Sequence, residues 1–350
     1  MRRAYIKRYG ICSALGTDLP SRALCDENLK PNAELICTFE QSVLYYKAKG
    51  YVDELIKNIG SIPKNTTLFI GSSSLGTHLN EQNYAEDGIK YLGYDIEAHE
   101  ICKKLGINPR YYLFNTACTS SANALIYAAR MIKDGILDNA LVIGVEVQNM
   151  LSLYGFMSLG LISKEGIKPF DKNRSGIVLG EACAFALLSS EEDSWEFLEG
   201  EILNDISNIT TPSKEGETLQ ILIEKTISRA KIKTSQIDLI KLHATASNSN
   251  DISENSALCK IFGDFLPLCV ALKGYIGHTL GACGVSELAL LLCALDSGFV
   301  PKSLGFETKD EDFCVTPTTQ KNAWSGRYVL FNYLAFGGNS AVFLIENGAK

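Results

Sequence analysis

Long apolar runs and a secretory leader are missing from this sequence. The longest apolar helix candidate, residues 288–295, is bounded by Glu287 and Asp296 and is too short to cross a bilayer. The basic start MRRAYIKR resembles the first part of a signal peptide, but Lys7 and Arg8 interrupt it and no apolar core region follows. We therefore expect no membrane span and a cytoplasmic protein.

Cysteine motifs that would indicate a metal site or a disulfide framework are also missing. The eleven cysteines are scattered, with no CxxC and no cysteine–histidine cluster at metal-ligand spacing. We expect no bound metal and free thiols in a reducing compartment. Cys183, Cys269 and Cys293 lie in apolar runs and are expected to be buried filler.

Positive charge is in short supply, because 33 Lys and Arg residues face 40 Asp and Glu residues, for a net charge of −7. An acidic balance of this kind argues against a nucleic-acid binder. What is present is a hydrophobic fraction of 46% in 350 residues, which suffices for a large core. No low-complexity linker and no residue-level repeat interrupts the chain, so we expect one compact body.

The hydrophobic pattern predicts alternating strands and helices. Residues 111–115 read as a strand, 121–135 as a helix ending at Gly135, and 140–146 as the next strand. This βαβ unit implies a parallel sheet covered by helices. In the second half we predict helices at 219–232 and 279–298, a strand running into a loop within each of 237–245 and 268–278, and two strands joined by a Gly-rich turn within 327–346.

Cys118 lies in NTACTSS, where the predicted strand meets the start of the predicted helix. A thiolate there gains from the helix dipole and from unpaired N–H groups, which lowers a cysteine's pKa. Small neighbours leave room for a substrate, and the geometry parallels a nucleophile elbow. Taken alone, however, this segment favours a buried structural cysteine.

Two of the four histidines occupy notable contexts. His243 ends a strand in IKLHATASNSND, and His278 precedes a helix in LKGYIGHTLGACG. A lone histidine is more often structural than catalytic, but a neutral imidazole at a helix N-terminus can polarise a carbonyl. His78 and His99 lack comparable settings and are expected at the surface.

Together these segments resemble the β-ketoacyl-acyl-carrier-protein synthases, condensing enzymes of the thiolase superfamily. ACTSS resembles the family's nucleophile motif, HATASNSND its HGTGT…ND block, and LKGYIGHTLGACGVSE its K-S-x-x-G-H-T-x-G-A-A-G block. LAFGGNSAVFL resembles its G-F-G-G-x-N turn, KPFDKNRSGIVLGE its PFD…GE segment, and RYGICSALG its opening strand and turn. The resemblance covers most of the chain from about residue 105 onward.

The resemblance implies a fold and a reaction. The fold is the α/β thiolase fold, five-layered α-β-α-β-α with two related halves. The charged stretch 188–201 marks the boundary between the halves. Residues 1–190 form the half that carries the nucleophile, and residues 191–350 form the half that carries both histidines. Cys118 accepts an acyl group from the phosphopantetheine arm of an acyl carrier protein. His243 and His278 stabilise the enolate formed when a malonyl carrier thioester loses carbon dioxide. No cofactor is bound to the enzyme itself.

Supporting roles follow from the same resemblance. Backbone N–H groups of Cys118 and Phe336 form an oxyanion hole, and Phe336 is also a gating aromatic. Gly337 and Gly338 let the backbone turn close to the site and are assigned to substrate binding. Lys273 and Glu287 pair to hold the His278 loop. Thr245 and Ser247 either bind the phosphopantetheine arm or cap a turn. Glu181 has a structural role. Asp251 and Glu254 support the His243 loop.

The sequence also departs from the family. The region between Leu19 and Asn108 is shortened, and Ala244, Ala246 and Ala335 replace glycines. These departures motivate an alternative, a non-catalytic partner subunit resembling a chain length factor, which retention of Cys118 opposes. A third hypothesis is a chain-initiating or specialised synthase, for instance of polyene or polyketide formation. A thiolase is disfavoured because AFGGNSA lacks a second cysteine.

The resemblance further implies a dimer, either a homodimer or a heterodimer with a related subunit. Because acyl carrier proteins are acidic, we expect a local basic patch near the pocket mouth despite the overall negative charge. The candidates for that patch are Lys103, Lys104, Arg110 and Arg130.

Overall fold

The computed structural model of the protein describes residues 2–13, 15, 24, 26, 51–78, 80, 81, 84, 95–206 and 211–348. Part of the shortened region between Leu19 and Asn108 lies outside these residues, as does part of RYGICSALG.

One mixed sheet organises the described part of the chain. Its strands are β1 Tyr5–Ser13, β2 Thr67–Gly71, β3 Tyr111–Phe114, β4 Asn139–Glu146, β5 Ala182–Ser189, β6 Trp195–Asn204, β7 Ile237–Lys241, β8 Leu268–Val270, β11 Tyr328–Leu334 and β12 Asn339–Asn347. A short separate pair is formed by β9 Phe299–Val300 and β10 Asn322–Ala323. The order across the large sheet is β3-β2-β4-β5-β1-β6-β12-β11-β7-β8.

The strand order repeats across the middle of the sheet. From the outer edge to the middle of the sheet, the N-terminal half has the order β3-β2-β4-β5-β1 and the C-terminal half has the order β8-β7-β11-β12-β6. If the large-sheet strands of each half are numbered one to five along the chain, both halves have the order three, two, four, five, one. The two first strands, β1 and β6, meet through Tyr5 opposite Glu196 and Ile6 opposite Trp195. The two related halves, invisible as a residue repeat, are therefore visible in the topology.

The helices occupy three layers around the two half-sheets. They are α1 Tyr51–Ile59, α2 Ile96–Leu105, α3 Ser120–Lys133, α4 Met150–Ser158, α5 Glu217–Ala230, α6 Asn248–Phe262, α7 Lys273–Ile276 and α8 Cys283–Asp296. Helices α3 and α8 pack against each other within the largest hydrophobic core. A second core joins α5 and α6 to the C-terminal half-sheet, and a third joins α1 and α2 to the N-terminal one. These are the five layers of the thiolase fold.

Local signals in the sequence place the principal elements. The helix predicted over 121–135 is α3, and Gly135 after it has a φ of 74°, a left-handed conformation that suits glycine. The helix predicted over 219–232 is α5. The final strand pair is β11 and β12, which are antiparallel as the Gly-rich turn between them indicates.

Some expectations about single residues are wrong. His78 is buried, 3% exposed, and its Nε2 lies 3.9 Å from Oε1 of Glu97; burial lowers the pKa of His78 to about 4. Cys259 and Cys314 are joined by a disulfide, so the cysteines are not all free thiols. These pairs come together only through tertiary folding, so sequence spacing did not reveal them. Cys293, expected to be buried, is half-buried.

Candidate active site

A pocket of about 250 Å³ brings together residues that are far apart in the sequence. Cys118 comes from the turn after β3, His243 from the end of β7, and His278 from the loop after α7. All three side chains are almost fully buried and line this pocket. The rest of the lining is Leu159, Leu161, Ile177, Thr211, Pro212, Thr245, Ser247, Ser249, Asn250, Leu334, Ala335 and Phe336.

The backbone holds Cys118 in a sharp turn. Ala117 has a φ of 51°, and α3 begins two residues after the cysteine. The backbone N–H groups of Phe336 and of Cys118 itself lie near the sulfur and act to lower the pKa of the thiol. Burial nevertheless raises the pKa of the thiol to about 12, against the lowering by Lys273 and by these N–H groups. The expectation that the helix terminus lowers this pKa is therefore wrong, because desolvation of the thiolate outweighs it.

His243 is fixed through its main chain. The two carboxylate oxygens of Glu254 accept the N–H groups of His243, at 2.7 Å, and of Ala244, at 2.9 Å. Nζ of Lys273 donates to the carbonyl oxygen of His243 at 2.6 Å and lies 3.3 Å from its Nδ1. Asp251 lies one turn earlier on α6 and accepts the N–H of Phe170 at 2.8 Å. Glu254 thus supports the His243 turn directly.

His278 lies beside His243, with ring centroids 5.5 Å apart and planes at 84°. The backbone N–H of His278 donates to the carbonyl oxygen of Val178 at 2.7 Å, and the ring atom Nδ1 lies 3.1 Å from Sγ of Cys283. Burial first, and then the ammonium group of Lys273, lower the pKa of both imidazoles well below the usual value. Both rings are therefore neutral at neutral pH, so each has one N–H to donate.

A buried ion-pair cluster stands behind the histidines. Nζ of Lys273 lies 2.6 Å from Oε1 of Glu287, so the expected pair is present. A second lysine, Lys241, lies 2.5 Å from Oε2 of the same carboxylate. All three side chains have no exposed surface. The two ammonium groups hold the pKa of Glu287 below its usual range, although burial alone would raise it.

Lys241 and Cys283 are the residues that sequence reasoning missed. Lys241 lies in the apolar strand IDLIK two residues before His243, and a charged residue in a buried strand signals a partner. Cys283 stands where the family block GHTxGAAG has alanine. Both residues stand out in the sequence, but the residues that they contact are determined by the fold.

The remaining predicted residues lie at or near the pocket mouth. Oγ1 of Thr245 and Oγ of Ser247 line the pocket and are 2.9 Å apart. Phe336 also lines it and packs on Phe156, with centroids 5.6 Å apart. Gly337 and Gly338 follow with φ of 83° and 79°.

Glu181 lies outside the pocket lining. Its carboxylate accepts the N–H of Gln148 at 2.6 Å, and burial raises its pKa to about 7.

The predicted basic patch is not at the pocket mouth. Lys103 and Lys104 lie in the last turn of α2, and Arg110 immediately precedes β3, whereas Cys118 follows the other end of that strand. Nη2 of Arg130 is 3.2 Å from Oε1 of Glu201 on β6, so its charge is engaged there. These four candidates are wrong because order along the chain does not reveal the edge of the sheet at which a loop emerges.

Metal and membrane features are absent from what the structure covers. Within the described ranges, no group of three or more His, Cys, Asp or Glu side chains could hold a metal ion. In the same part of the chain, no helix is long and apolar enough to span a membrane.

Solved structures with a similar fold include ketosynthases. The ketosynthase ApeO with its chain length factor ApeC from Xenorhabdus doucetiae matches with a TM-score of 0.75 and 24% identity, over 99% of this chain and 98% of that one. A beta-ketoacyl synthase from Burkholderia phymatum matches with a TM-score of 0.80 and 20% identity, over 99% and 100%. The fold is thus that of the thiolase-type ketosynthases.

Sequence comparisons assign the family. The family models described as Beta-ketoacyl synthase, N-terminal domain and C-terminal domain match residues 49–194 and 198–307. The chloroplastic 3-oxoacyl-[acyl-carrier-protein] synthase II of Arabidopsis thaliana is 30% identical over 66% of this chain and 46% of its own. The 3-oxoacyl-[acyl-carrier-protein] synthase 2 of Mycobacterium leprae is 27% identical over 64% of this chain and 58% of its own. The chain belongs to the beta-ketoacyl synthase family, and it spans about half the length of these two relatives.

Proposed function

We propose that the protein catalyses the decarboxylative Claisen condensation of an acyl thioester with malonyl-acyl-carrier-protein, as an acyltransferase of fatty-acid, polyene or polyketide synthesis. The observation that carries this proposal is the meeting of Cys118, His243 and His278 in one pocket, where both imidazoles are neutral and two backbone N–H groups lie near the sulfur. The names of the relatives, 3-oxoacyl-[acyl-carrier-protein] synthases, support it.

The first step is acyl transfer. The Cys118 sulfur attacks the carbonyl carbon of the acyl carrier thioester, and the tetrahedral oxyanion receives the backbone N–H groups of Cys118 and Phe336. The carbon–sulfur bond to the pantetheine arm breaks, and the arm leaves as a thiol with the proton that Cys118 gives up. Because burial raises the thiol's pKa, this proton must leave as the new bond forms.

The second step is condensation. The malonyl thioester loses its carboxylate as carbon dioxide, and the electron pair passes into the thioester carbonyl to give an enolate. N–H donors of His243 and His278 stabilise the enolate oxygen without a net proton transfer. The enolate carbon then attacks the acyl carbonyl on Cys118, and the sulfur leaves as a thiolate that takes up a proton from water. The product is a β-ketoacyl thioester on the carrier.

The substrate arm reaches the site through the polar mouth. Thr245 and Ser247 offer hydroxyls to the phosphopantetheine arm, and no cofactor is required on the enzyme itself. Lys164 and Lys214 are exposed and lie within three residues of pocket-lining Leu161 and Pro212. We assign contact with an acidic carrier protein to these two lysines in place of the patch predicted from sequence.

A dimer is supported by an exposed apolar surface. Helix α4 has no buried residue, and Leu151 and Tyr154 on it are 72% and 57% exposed. Strand β3 ends the sheet order of the described residues, and Leu113 on it is 39% exposed. Apolar surface of this kind marks a protein partner, either a second copy or a related synthase-like subunit. Nucleic acid and membranes are not proposed as partners, and the cytoplasm is the proposed location.

The division of the chain into 1–190 and 191–350 stays a proposal. It is supported by β5 ending at Ser189 and β6 beginning at Trp195, so that the boundary falls between the two half-sheets.

Intact-protein mass spectrometry with acyl carrier species of varied chain length and unsaturation tests the function. The expected result is one acyl adduct on the wild type, none on Cys118→Ala, and a β-ketoacyl product when malonyl carrier protein is added. No adduct with any acyl species would favour the alternative, a non-catalytic subunit resembling a chain length factor. Preference within the panel separates an ordinary fatty-acid enzyme, which takes saturated medium or long chains, from a specialised synthase.

A further inference from the structure

The ammonium group of Lys273 has three protons, and the structure gives each a partner. The partners of Nζ are Oε1 of Glu287 at 2.6 Å, the carbonyl oxygen of His243 at 2.6 Å, and Nδ1 of His243 at 3.3 Å. An ammonium group only donates, so Nδ1 must accept. A neutral His243 therefore carries its proton on Nε2, the nitrogen it needs as a donor in the pocket.

Lys241 determines which oxygen of Glu287 is left to accept a hydrogen bond from Lys273. Nζ of Lys241 donates to Oε2 of Glu287 at 2.5 Å and to the carbonyl oxygen of Asn332 at 2.9 Å, and it lies 3.5 Å from the centroid of the Tyr333 ring. With Oε2 occupied, Glu287 takes only one proton from Lys273. Without Lys241, both oxygens would compete for Lys273, at the expense of the longest of its three contacts, the one to Nδ1.

The contacts close into a ring around His243. Asn332 accepts from Lys241 through its carbonyl oxygen and donates through Nδ2 to Oε1 of Glu254 at 3.2 Å. Glu254 in turn accepts the backbone N–H of His243. The ring therefore passes through Lys241, Glu287, Lys273, His243, Glu254 and Asn332. Lys241 contacts Glu287 directly and is linked to Glu254 through Asn332.

We propose that Lys241 is a positioning residue that preserves the hydrogen bond from Nζ of Lys273 to Nδ1 of His243. Because Nδ1 then accepts, His243 is fixed as an Nε2–H donor. This inference rests on the proposed condensation, because the donor serves the enolate oxygen. It assigns no direct contact with substrate to Lys241, which has no exposed surface and does not line the pocket. It predicts that decarboxylation depends on Lys241 more than acylation of Cys118 does.

The proposal also predicts a pH dependence. Burial chiefly, and then Lys273, lower the pKa of Lys241 to about 8 although Glu287 opposes this. The charged and titratable groups facing Lys241 are Glu287 on α8, Lys273 on α7, Glu254 on α6, Tyr333 on β11, and the imidazoles of His243 and His278. As pH rises through about 8, Lys241 loses its charge and its hold on Glu287. The decarboxylation rate should fall over this window.

The experiment compares Lys241→Met and Lys241→Arg with wild type, with Lys225→Met on the exposed face of α5 as the matched control. Two reactions are followed separately: acylation of Cys118 by intact mass, and carbon dioxide release from malonyl carrier protein. We expect Lys241→Met to slow decarboxylation roughly 10- to 100-fold, to change acylation less than about 3-fold, and to abolish the fall in rate above pH 8. Lys241→Arg should restore part of the rate, and Lys225→Met should match wild type.

A spectroscopic reading keeps the proposal falsifiable if Lys241→Met does not fold. With only four histidines in the chain, ¹⁵N-histidine spectra of the wild type can be assigned with single histidine variants. The His243 signal should report Nε2–H at pH 7 and should shift toward a tautomer mixture as pH passes 8. A constant tautomer across this range, or equal slowing of both reactions, would overturn the proposal. A wild type with no activity but the expected tautomer change would reject the proposed function and leave the role of Lys241 standing.

Discussion

The two halves share a strand order but hold their functional groups by different means. In each half a central helix follows the third strand: α3 after β3, and α8 after β8. Cys118, from the N-terminal half, packs with the apolar side chains of Ile177 and Leu179 and with Leu280 of the C-terminal half. In the C-terminal half, the histidines lie against buried lysines and glutamates.

This difference separates two ways of placing a reactive group. Cys118 is placed by backbone conformation, with Ala117 in the left-handed region, and by packing among apolar side chains. His243 is placed by charged side chains that would be costly to bury alone. The cysteine should therefore tolerate replacement without loss of the fold, whereas the charged cluster should not.

Unfolding of Glu287→Gln and Cys118→Ala gives the largest contrast between the halves. Glu287→Gln leaves the buried ammonium groups of Lys241 and Lys273 without their shared carboxylate, so we expect a loss of about 3–5 kcal/mol in the free energy of unfolding. Cys118→Ala removes one sulfur from an apolar pocket wall and should cost on the order of 1 kcal/mol. Urea unfolding followed by circular dichroism measures both. Similar losses in the two variants would contradict the comparison.

Elements set by local signals could be predicted from the sequence. The strand-helix-strand rhythm predicted α3 and its flanking strands, and Gly135 marked the end of α3 because its position requires a positive φ. The three pocket residues, Cys118, His243 and His278, were singled out by motifs whose spacing resembles one family. The structure brings these three together.

Features set by tertiary packing could not be predicted in this way. Lys241 and Glu287 are 46 residues apart, and Cys259 and Cys314 are 55 apart, so no window of sequence contains either pair. The pKa of Cys118 is raised because desolvation exceeds the local effect of the helix terminus, and the extent of burial is a property of the whole fold.

Replacement of Cys283 tests the second histidine. Among the described residues, Sγ of Cys283 is the polar partner of Nδ1 of His278, and Oγ1 of Thr279 donates to this sulfur at 3.6 Å. A thiol proton directed at Nδ1 would leave His278 as an Nε2–H donor. Cys283→Ala removes that partner, so we expect decarboxylation to slow about 5- to 30-fold, which corresponds to about 1–2 kcal/mol.

Cys283→Ser is the matched variant, because a hydroxyl donates where a methyl cannot. It should keep most of the decarboxylation rate, and acylation of Cys118 should be near the wild-type rate in both variants. If Cys283→Ala and Cys283→Ser slow decarboxylation equally, packing rather than a hydrogen bond explains the effect. The measurement is carbon dioxide release at saturating malonyl carrier protein.

The smallest expected effect concerns the turn that follows His243. Ala244 and Ala246 stand at the glycine positions of the HGTGT block that this segment resembles, yet they keep φ of 47° and 65°, a region that disfavours a side chain. Ala244→Gly and Ala246→Gly should each relieve about 1–2 kcal/mol of backbone strain, offset by about 0.4–1 kcal/mol of added entropy in the unfolded chain. We expect a net gain of about 0.5 kcal/mol, measured by urea unfolding. Ala124→Gly inside α3, where the helix favours alanine, should instead lose about 1 kcal/mol. Equal losses at all three positions would mean that the buried methyl groups, rather than backbone strain, govern the turn.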